Sequence, residues 1–296
     1  MGLKVKDVCK SYGTKRVVNK ISFELEKPGI FGLLGTNGAG KTTTLRMILG
    51  ILKKDEGEIS WNDSPVNRKN INFGYLPEER GLYPKSIIMN QLLYFAELKG
   101  MKKDEATKSI NKWAKILQVE EYLKVTPDKL SKGNQQKIQF MIAIIHDPDL
   151  IILDEPFSGL DPVNSSIIKD VIVDLIKKGK YIIMSAHEMH TIEEFCTDLL
   201  ILDKSKTVLQ GNLKEIRNSY PANKLFIETE EDITSFIKKN KLKLVKEHDN
   251  IYEISIDNEK EAHKLVKEII SKNILINRFE IAKPSLNDIF IEKVGE

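Results

Sequence analysis

Ile30-Phe31-Gly32-Leu33-Leu34-Gly35-Thr36-Asn37-Gly38-Ala39-Gly40-Lys41-Thr42-Thr43 is an apolar run that opens into glycines and closes on a lysine and two threonines. The run reads as a buried strand, and residues 35–42 fit the pattern Gly-x-x-x-x-Gly-Lys-Thr in the strand-to-helix setting that pattern requires. Glycines let successive backbone N–H groups converge on one anion without obstruction by Cβ atoms, and the following helix adds its positive end. Gly35, Thr36, Asn37, Gly38, Ala39 and Gly40 would form the cradle. Lys41 would reach the β- and γ-phosphates as a point charge, the Thr42 hydroxyl would ligate Mg2+, and Thr43 would extend the polar rim. The loop implies a nucleotide phosphate and no more, because many activities share it. The absence of any Asn-Lys-x-Asp sequence, the usual reader of guanine, counts against a GTPase.

A second apolar strand, Leu150-Ile151-Ile152-Leu153, ends in Asp154-Glu155. Acids at a strand end are common and usually only solvated. Beside a phosphate loop they acquire distinct roles: Asp154 would hold Mg2+ through its water shell, and Glu155 would orient or deprotonate the attacking water.

Around these two motifs the chain organises into two folded units, the number expected of 296 residues at roughly 150 per domain. The first 35 residues alternate short strands with turns, Leu3–Val8 and Ile21–Leu25 flanking a turn at Ser11-Tyr12-Gly13. Between 84 and 146 the apolar spacing becomes helical, with Ala106, Ile110, Trp113 and Leu117 three or four residues apart. A helix near Ser165–Lys178 and a strand Tyr181–Ser185 then continue a parallel α/β pattern, placing a first domain at residues 1–211. Residues 212–296 read strand, helix, strand, strand, helix, strand, the order of a ferredoxin-like α+β module, with a hairpin at His248-Asp249-Asn250. Ser285 is positioned to cap a short final helix.

Composition excludes several classes. Hydrophobic residues make up 41% and charged residues 30%, as in an ordinary globular chain. The net charge of +3, with no basic block, implies neither a nucleic-acid nor an anionic-membrane surface. Cys9 and Cys196 have neither metal nor disulfide spacing, and are expected as free thiols. No secretory signal is expected at the N-terminus. The most apolar run, Met141 to Leu153, is broken by His146, Asp147, Pro148 and Asp149 and falls short of the ~20 residues of a membrane span.

Leu130-Ser131-Lys132-Gly133-Asn134-Gln135-Gln136, upstream of the second acidic motif, is where the chain comes to resemble the ABC ATPase family. The family signature is usually Leu-Ser-Gly-Gly-Gln. Lys132 and Asn134 depart from it, while Ser131 and Gly133 match the positions that approach phosphate. From the residues alone, Ser131 caps a helix through Ile138, Met141, Ile142 and Ile145. The resemblance implies a P-loop NTPase fold of ABC type, with an N-terminal β subdomain, an inserted helical subdomain at about 84–146, and an appended C-terminal domain. It further implies that Tyr12 stacks on adenine, that Phe157-Ser158-Gly159-Leu160-Asp161 forms the D-loop, and that His187 is the switch histidine at the γ-phosphate. Gly74 to Pro84 resembles the Q-loop region, with Glu78 in place of the usual glutamine, so that Glu78 can accept but not donate at the metal. That wording, together with the signature and the C-terminal domain, is similar to ATPase subunits of sodium- and drug-extruding bacterial exporters of Nat type.

Such an identity implies ATP and Mg2+ as ligands, with Lys41, Glu155 and His187 catalytic. Tyr12, residues 35–43, Ser131, Gly133 and Asn134 would bind nucleotide, and Thr42, Asp154 and Glu78 would bind metal. It implies a homodimer or heterodimer in which each ATP lies between the P-loop of one subunit and the signature of the other. The partner would be an integral membrane permease, contacted near Leu82 and Tyr83, and the location cytoplasmic and peripheral on the inner face of the membrane. An ABC ATPase acting on ribosomes or DNA shares these motifs, but usually carries paired cassettes or long coiled coils that this chain lacks.

Overall fold

The computed structural model describes residues 2–66, 71–79, 81–186 and 189–295. It divides into two compact units, Met1–Gln210 and Gly211–Glu296. Each is built around its own sheet system.

In the first unit β1 (Leu3–Tyr12) and β2 (Lys15–Leu25) form a long hairpin, and β3 (Gly29–Gly35) leads into α1 (Lys41–Ile48). β4 (Glu56–Trp61) and β5 (Ser64–Pro65) complete an antiparallel sheet of order β2-β1-β4-β5. The hairpin turn is Gly13-Thr14, with Ser11 and Tyr12 inside β1. The expected turn at Ser11-Tyr12-Gly13 is therefore displaced: pairing of Ser11 with Arg16 and Tyr12 with Lys15 extends the ladder to its end, and Gly13, at φ 58°, supplies the left-handed backbone.

Then come β6 (Phe73–Leu76), the helices α2 (Ile88–Leu98), α3 (Lys103–Ile116) and α4 (Lys132–Ile144), and β7 (Leu150–Asp154). α5 (Pro162–Lys177), β8 (Tyr181–Ala186), α6 (Met189–Phe195), β9 (Asp198–Asp203) and β10 (Lys206–Asn212) follow. The second sheet has the order β10-β9-β3-β8-β7-β6, and β3, β6, β7, β8 and β9 pair in parallel. Parallel strands are covered on both faces, which is why β7 and β8 are buried at every residue and read as continuous apolar runs. α2, α3 and α4 pack on one another, and α3 buries Ala106, Ile110, Trp113 and Ala114 at helical spacing.

The main core lies between the two sheets and α1. Phe23 of β2 stacks on Phe31 of β3 with centroids 4.4 Å apart, and Leu45, Ile48, Ile152 and Leu200 close around them. Truncating Ile152 to Ala in such a core costs about 2–5 kcal/mol. This core fixes β3 and β7 beside one another's neighbour β8, so the two motif-bearing loops leave the same end of the sheet.

The second unit contains α7 (Leu213–Ser219), β11 (Lys224–Thr229), α8 (Thr234–Lys239), β12 (Lys243–His248), β13 (Ile251–Ser255), α9 (Glu259–Ser271), β14 (Ile276–Ala282) and α10 (Leu286–Gly295). Its antiparallel sheet has the order β12-β13-β11-β14, the ferredoxin-like arrangement. Leu225, Ile227, Tyr252 and Ile254 face Ala262, Leu265 and Ile269 of α9 in one apolar cluster. The hairpin turn is Asp249-Asn250 at φ 50° and 59°, and His248 stays in β12 paired with Ile251. Ser285 Oγ accepts from Asp288 N at 3.2 Å, capping α10.

Candidate nucleotide-binding site

β3 delivers the glycine loop at the centre of the parallel sheet. Gly40, at φ 103°, is the N-cap of α1 and offers no side chain to the first turn, so no side-chain acceptor competes for those amides. A Cβ on Gly40 would lie 2.3 Å from Val17 O, so the close approach of β2 excludes any larger residue. Thr36, Asn37 and Gly38 are exposed while Ala39 and Gly40 are buried, which turns the loop's outer rim to solvent. Lys41 Nζ folds back to donate to Gly35 O at 2.8 Å and lies 4.0 Å from Glu155 Oε1. Thr42 and Thr43 are half-buried in the first turn of α1.

The acids come from β7. Asp154 is 1% exposed, and its Oδ1 accepts from Ser185 Oγ at 2.5 Å. The same hydroxyl oxygen accepts from Glu155 N at 3.0 Å. One serine on β8 therefore orients the carboxylate and the following peptide together. Glu155 has a left-handed backbone, φ 54°, unusual for a residue with a Cβ and of the kind that collects at functional sites.

Asp154 Oδ2 is buried and, among the described residues, accepts no hydrogen bond. An orphaned buried carboxylate oxygen is costly unless something outside the protein satisfies it. The Thr42 hydroxyl and this oxygen are hard ligands suited to a divalent cation or its water. Among the described residues no cluster of three His, Cys, Asp or Glu forms a closed metal cage. The buried Asp154 oxygen without a partner fits Mg2+, which is ordinarily held by one or two carboxylates together with waters and substrate phosphates.

Ser131 caps α4, its side chain accepting from Asn134 N at 3.2 Å. Ser131 and Lys132 are exposed, Asn134 is half-buried, and Gly133 is buried. A Cβ on Gly133 would meet Asn164 Nδ2 at 2.7 Å. Asn164 is in turn held by Asp161, the N-cap of α5, whose Oδ1 accepts from Asn164 N at 2.9 Å. Those bonds hold the Asp161 carboxyl below its usual range. The signature thus rests on the end of the Phe157–Asp161 loop. Among the described residues no hydrogen bond or ion pair joins Ser131, Gly133 or Asn134 to residues 35–43.

Tyr12 ends β1 with its ring 53% exposed and Lys10 Nζ 5.8 Å from the ring centroid. Glu78 is exposed in the loop after β6, whose backbone is held by Gln139 Nε2 through Pro77 O at 3.3 Å and Glu79 O at 2.9 Å. His187 lies outside the described residues. Beyond Glu155 a cavity of about 410 Å³ is lined by Phe157, Ser158, Lys169, Ser185 and His190. Near the expected permease contact, Tyr83 is exposed while Leu82 is half-buried. Gln91 holds that loop, accepting from Tyr83 N at 2.9 Å and donating to Tyr83 O and Ser86 O.

Ser185, Asn164, Gln136 and Gln139 escaped the sequence reading. The glutamines carried a signal, two amides three residues apart on the apolar side of α4; Ser185 and Asn164 carried none, because their partners are distant in the chain.

Residues 18–158 match the family model described as ABC transporter, and residues 211–294 match that of the ATP-binding protein DrrA1-3-like C-terminal domain. The chain is 45% identical to the uncharacterized ABC transporter ATP-binding protein YhaQ of Bacillus subtilis, over 99% of this chain and 98% of that one. It is 34% identical to the Nod factor export ATP-binding protein I of Paraburkholderia xenovorans, over 69% and 68% of the two chains. A solved ATP-binding subunit of an ABC transporter superposes with a TM-score of 0.69 at 30% identity, covering 74% of this chain and 93% of that one.

Proposed function

The chain belongs to the ABC transporter ATP-binding protein family, and from that premise we propose that it binds and hydrolyses ATP to drive export through a separate membrane permease. ATP binding and the P-loop ATPase fold come with the family.

The observation that carries it is the pairing of Lys41 with Glu155 at 4.0 Å beside the unsatisfied Asp154 Oδ2. A cation, a candidate general base and a candidate metal ligand converge at the end of β3 and β7. The amides of residues 35–41 and the Lys41 ammonium would bind the β- and γ-phosphates, and Tyr12 would offer its exposed ring to adenine. Thr42, Asp154 and Glu78 would hold Mg2+, which supplies charge neutralisation on the phosphates. Glu155 would orient and deprotonate water, its peptide held in place by Ser185. His187 would contact the γ-phosphate, and its place rests on sequence alone.

Among the described residues no hydrogen bond or ion pair ties Ser131, Gly133 or Asn134 to residues 35–43, and they would complete the pocket of a second subunit. Closure would follow from contacts those residues make only with a triphosphate, and hydrolysis would reopen the dimer. The partner subunit is a second copy or another ABC ATPase. Among the described residues no helix is long and apolar enough to cross a membrane, so the permease would supply the path and hold the ATPase at the inner face of the cell membrane. Its docking point would be Tyr83 and Tyr94, which line an open cavity of about 670 Å³ with Pro84, Asn90 and Gln91. The export direction is supported by the Nod factor export relative. The second unit would act as an accessory domain.

The test is Glu155→Gln. It should retain ATP affinity, lose most phosphate release, and elute as a dimer on size exclusion when ATP is present. Normal hydrolysis by that variant would remove Glu155 from its role.

A further inference from the structure

α4 carries the signature serine at its start and, one and two turns further in, two glutamines that apolar packing does not call for. Gln136 and Gln139 are three residues apart and so emerge from neighbouring positions on one side of the helix. They are 3% and 4% exposed. Gln136 Nε2 donates to Pro156 O at 3.2 Å, the residue directly after Glu155. Gln139 Nε2 donates to both Pro77 O and Glu79 O, the two carbonyls that bracket Glu78.

The acceptor half of Gln139 tells why an amide stands there. Its Oε1 is buried and, among the described residues, accepts no hydrogen bond. An apolar residue of the same length would fill that volume without an orphaned oxygen, so packing alone does not favour glutamine. What glutamine supplies is a planar N–H2 group that can donate to two carbonyls at once. Glu78 itself is exposed, two residues past the end of β6 and outside any helix or strand. Its carboxylate direction depends on how firmly the peptides on either side are fixed.

We propose that Gln139 is a positioning residue for the nucleotide's metal: by bridging Pro77 O and Glu79 O it fixes the backbone on both sides of Glu78 and aims that carboxylate at the cation. This rests on the reading of Glu78 as a metal-side acid. Gln136 does the corresponding service for the peptide after Glu155. One helix therefore anchors the two loops that carry these acids.

The experiment uses the full chain and a non-hydrolysable ATP analogue, with affinity measured by titration calorimetry in magnesium and again in EDTA. Gln139→Met keeps the side-chain length and removes the donor. It should reduce the magnesium-dependent gain in affinity by about tenfold, the scale of one lost hydrogen bond to a well-placed group, and leave the EDTA affinity unchanged. Gln139→Glu, which keeps the shape and cannot donate when ionised, should do the same, and stands in if the Met variant is insoluble. Glu78→Ala should remove the same magnesium-dependent gain, and Gln139→Met should have no additional effect in that background. If Glu78→Ala leaves the magnesium effect intact, the metal reading of Glu78 falls and the positioning proposal falls with it. If Glu78→Ala abolishes the effect while Gln139→Met does not, or the two losses add, the positioning proposal alone is overturned.

Discussion

Replacing Ser185 with alanine removes one oxygen and breaks two hydrogen bonds that meet on it. Ser185 is fully buried on β8, directly opposite Asp154 in the parallel ladder. Its hydroxyl donates to Asp154 Oδ1 at 2.5 Å, and a bond to a carboxylate contributes about 1.5–3 kcal/mol. It also accepts from Glu155 N at 3.0 Å, and leaving that buried N–H without a partner costs about 1–3 kcal/mol. Alanine leaves little room for water to replace the oxygen. Since one group makes both bonds and the loop can relax in part, the expected cost is about 3 kcal/mol. For the unit Met1–Gln210, at about 2–4 °C per kcal/mol in a domain of this size, the melting midpoint should fall by about 6–12 °C. Differential scanning fluorimetry reads that shift, and phosphate release at a temperature where the variant is folded reads the second consequence. The Glu155 peptide is held left-handed partly by this bond, so turnover should fall more than ATP affinity. A midpoint within about 2 °C of the parent, with unchanged turnover, would refute the claim that Ser185 holds the two acids.

Lys41→Ala should weaken ATP binding by at least about tenfold in calorimetry, because it removes the one ammonium that the loop folds towards its carbonyls; an unchanged affinity would undo the phosphate-loop assignment. Gly133→Ala should lower the melting midpoint by the equivalent of about 1–3 kcal/mol through the overlap with Asn164, and the double variant with Asn164→Ala should recover most of that loss. His146 is pushed down to about 4 by burial, with Lys99 adding to the effect; the bond to Phe73 O and the charge of Asp147 work the other way. A depressed histidine lets the unfolded chain take up its proton first, so the contribution is complete above pH 6.5 and is lost as pH falls towards 4. Urea midpoints should therefore show His146→Gln losing about 2 kcal/mol less stability than the parent between pH 7 and pH 5, and equal losses would mean His146 is not held neutral.

Glycine, lysine and aspartate spacing made the phosphate loop and the acidic strand end readable along the chain, because both depend on neighbours within a few residues. The Ser131 cap was readable for the same reason, and its Oγ accepts from Asn134 N. The strand and helix order of the second unit followed from alternating and 3.6-residue apolar periods, which report which face is buried. Turn limits were less readable. Ser11, Tyr12 and His248 resemble turn residues in composition, but cross-strand pairing drew each into its ladder.

The chemistry available at each loop and the alternation of strands and helices were legible along the chain, since those are local properties of residue type and spacing. Which groups share a site was settled by packing: Ser185 between Asp154 and the Glu155 peptide, Asn164 against Gly133, and Gln139 across Glu78. These contacts span 31 residues for Gly133 and Asn164 by their numbering, 30 and 31 for Ser185, and 60 and 62 for Gln139. Periodicity records that a side chain is buried, and it holds no record of the partner that burial brings within hydrogen-bonding distance.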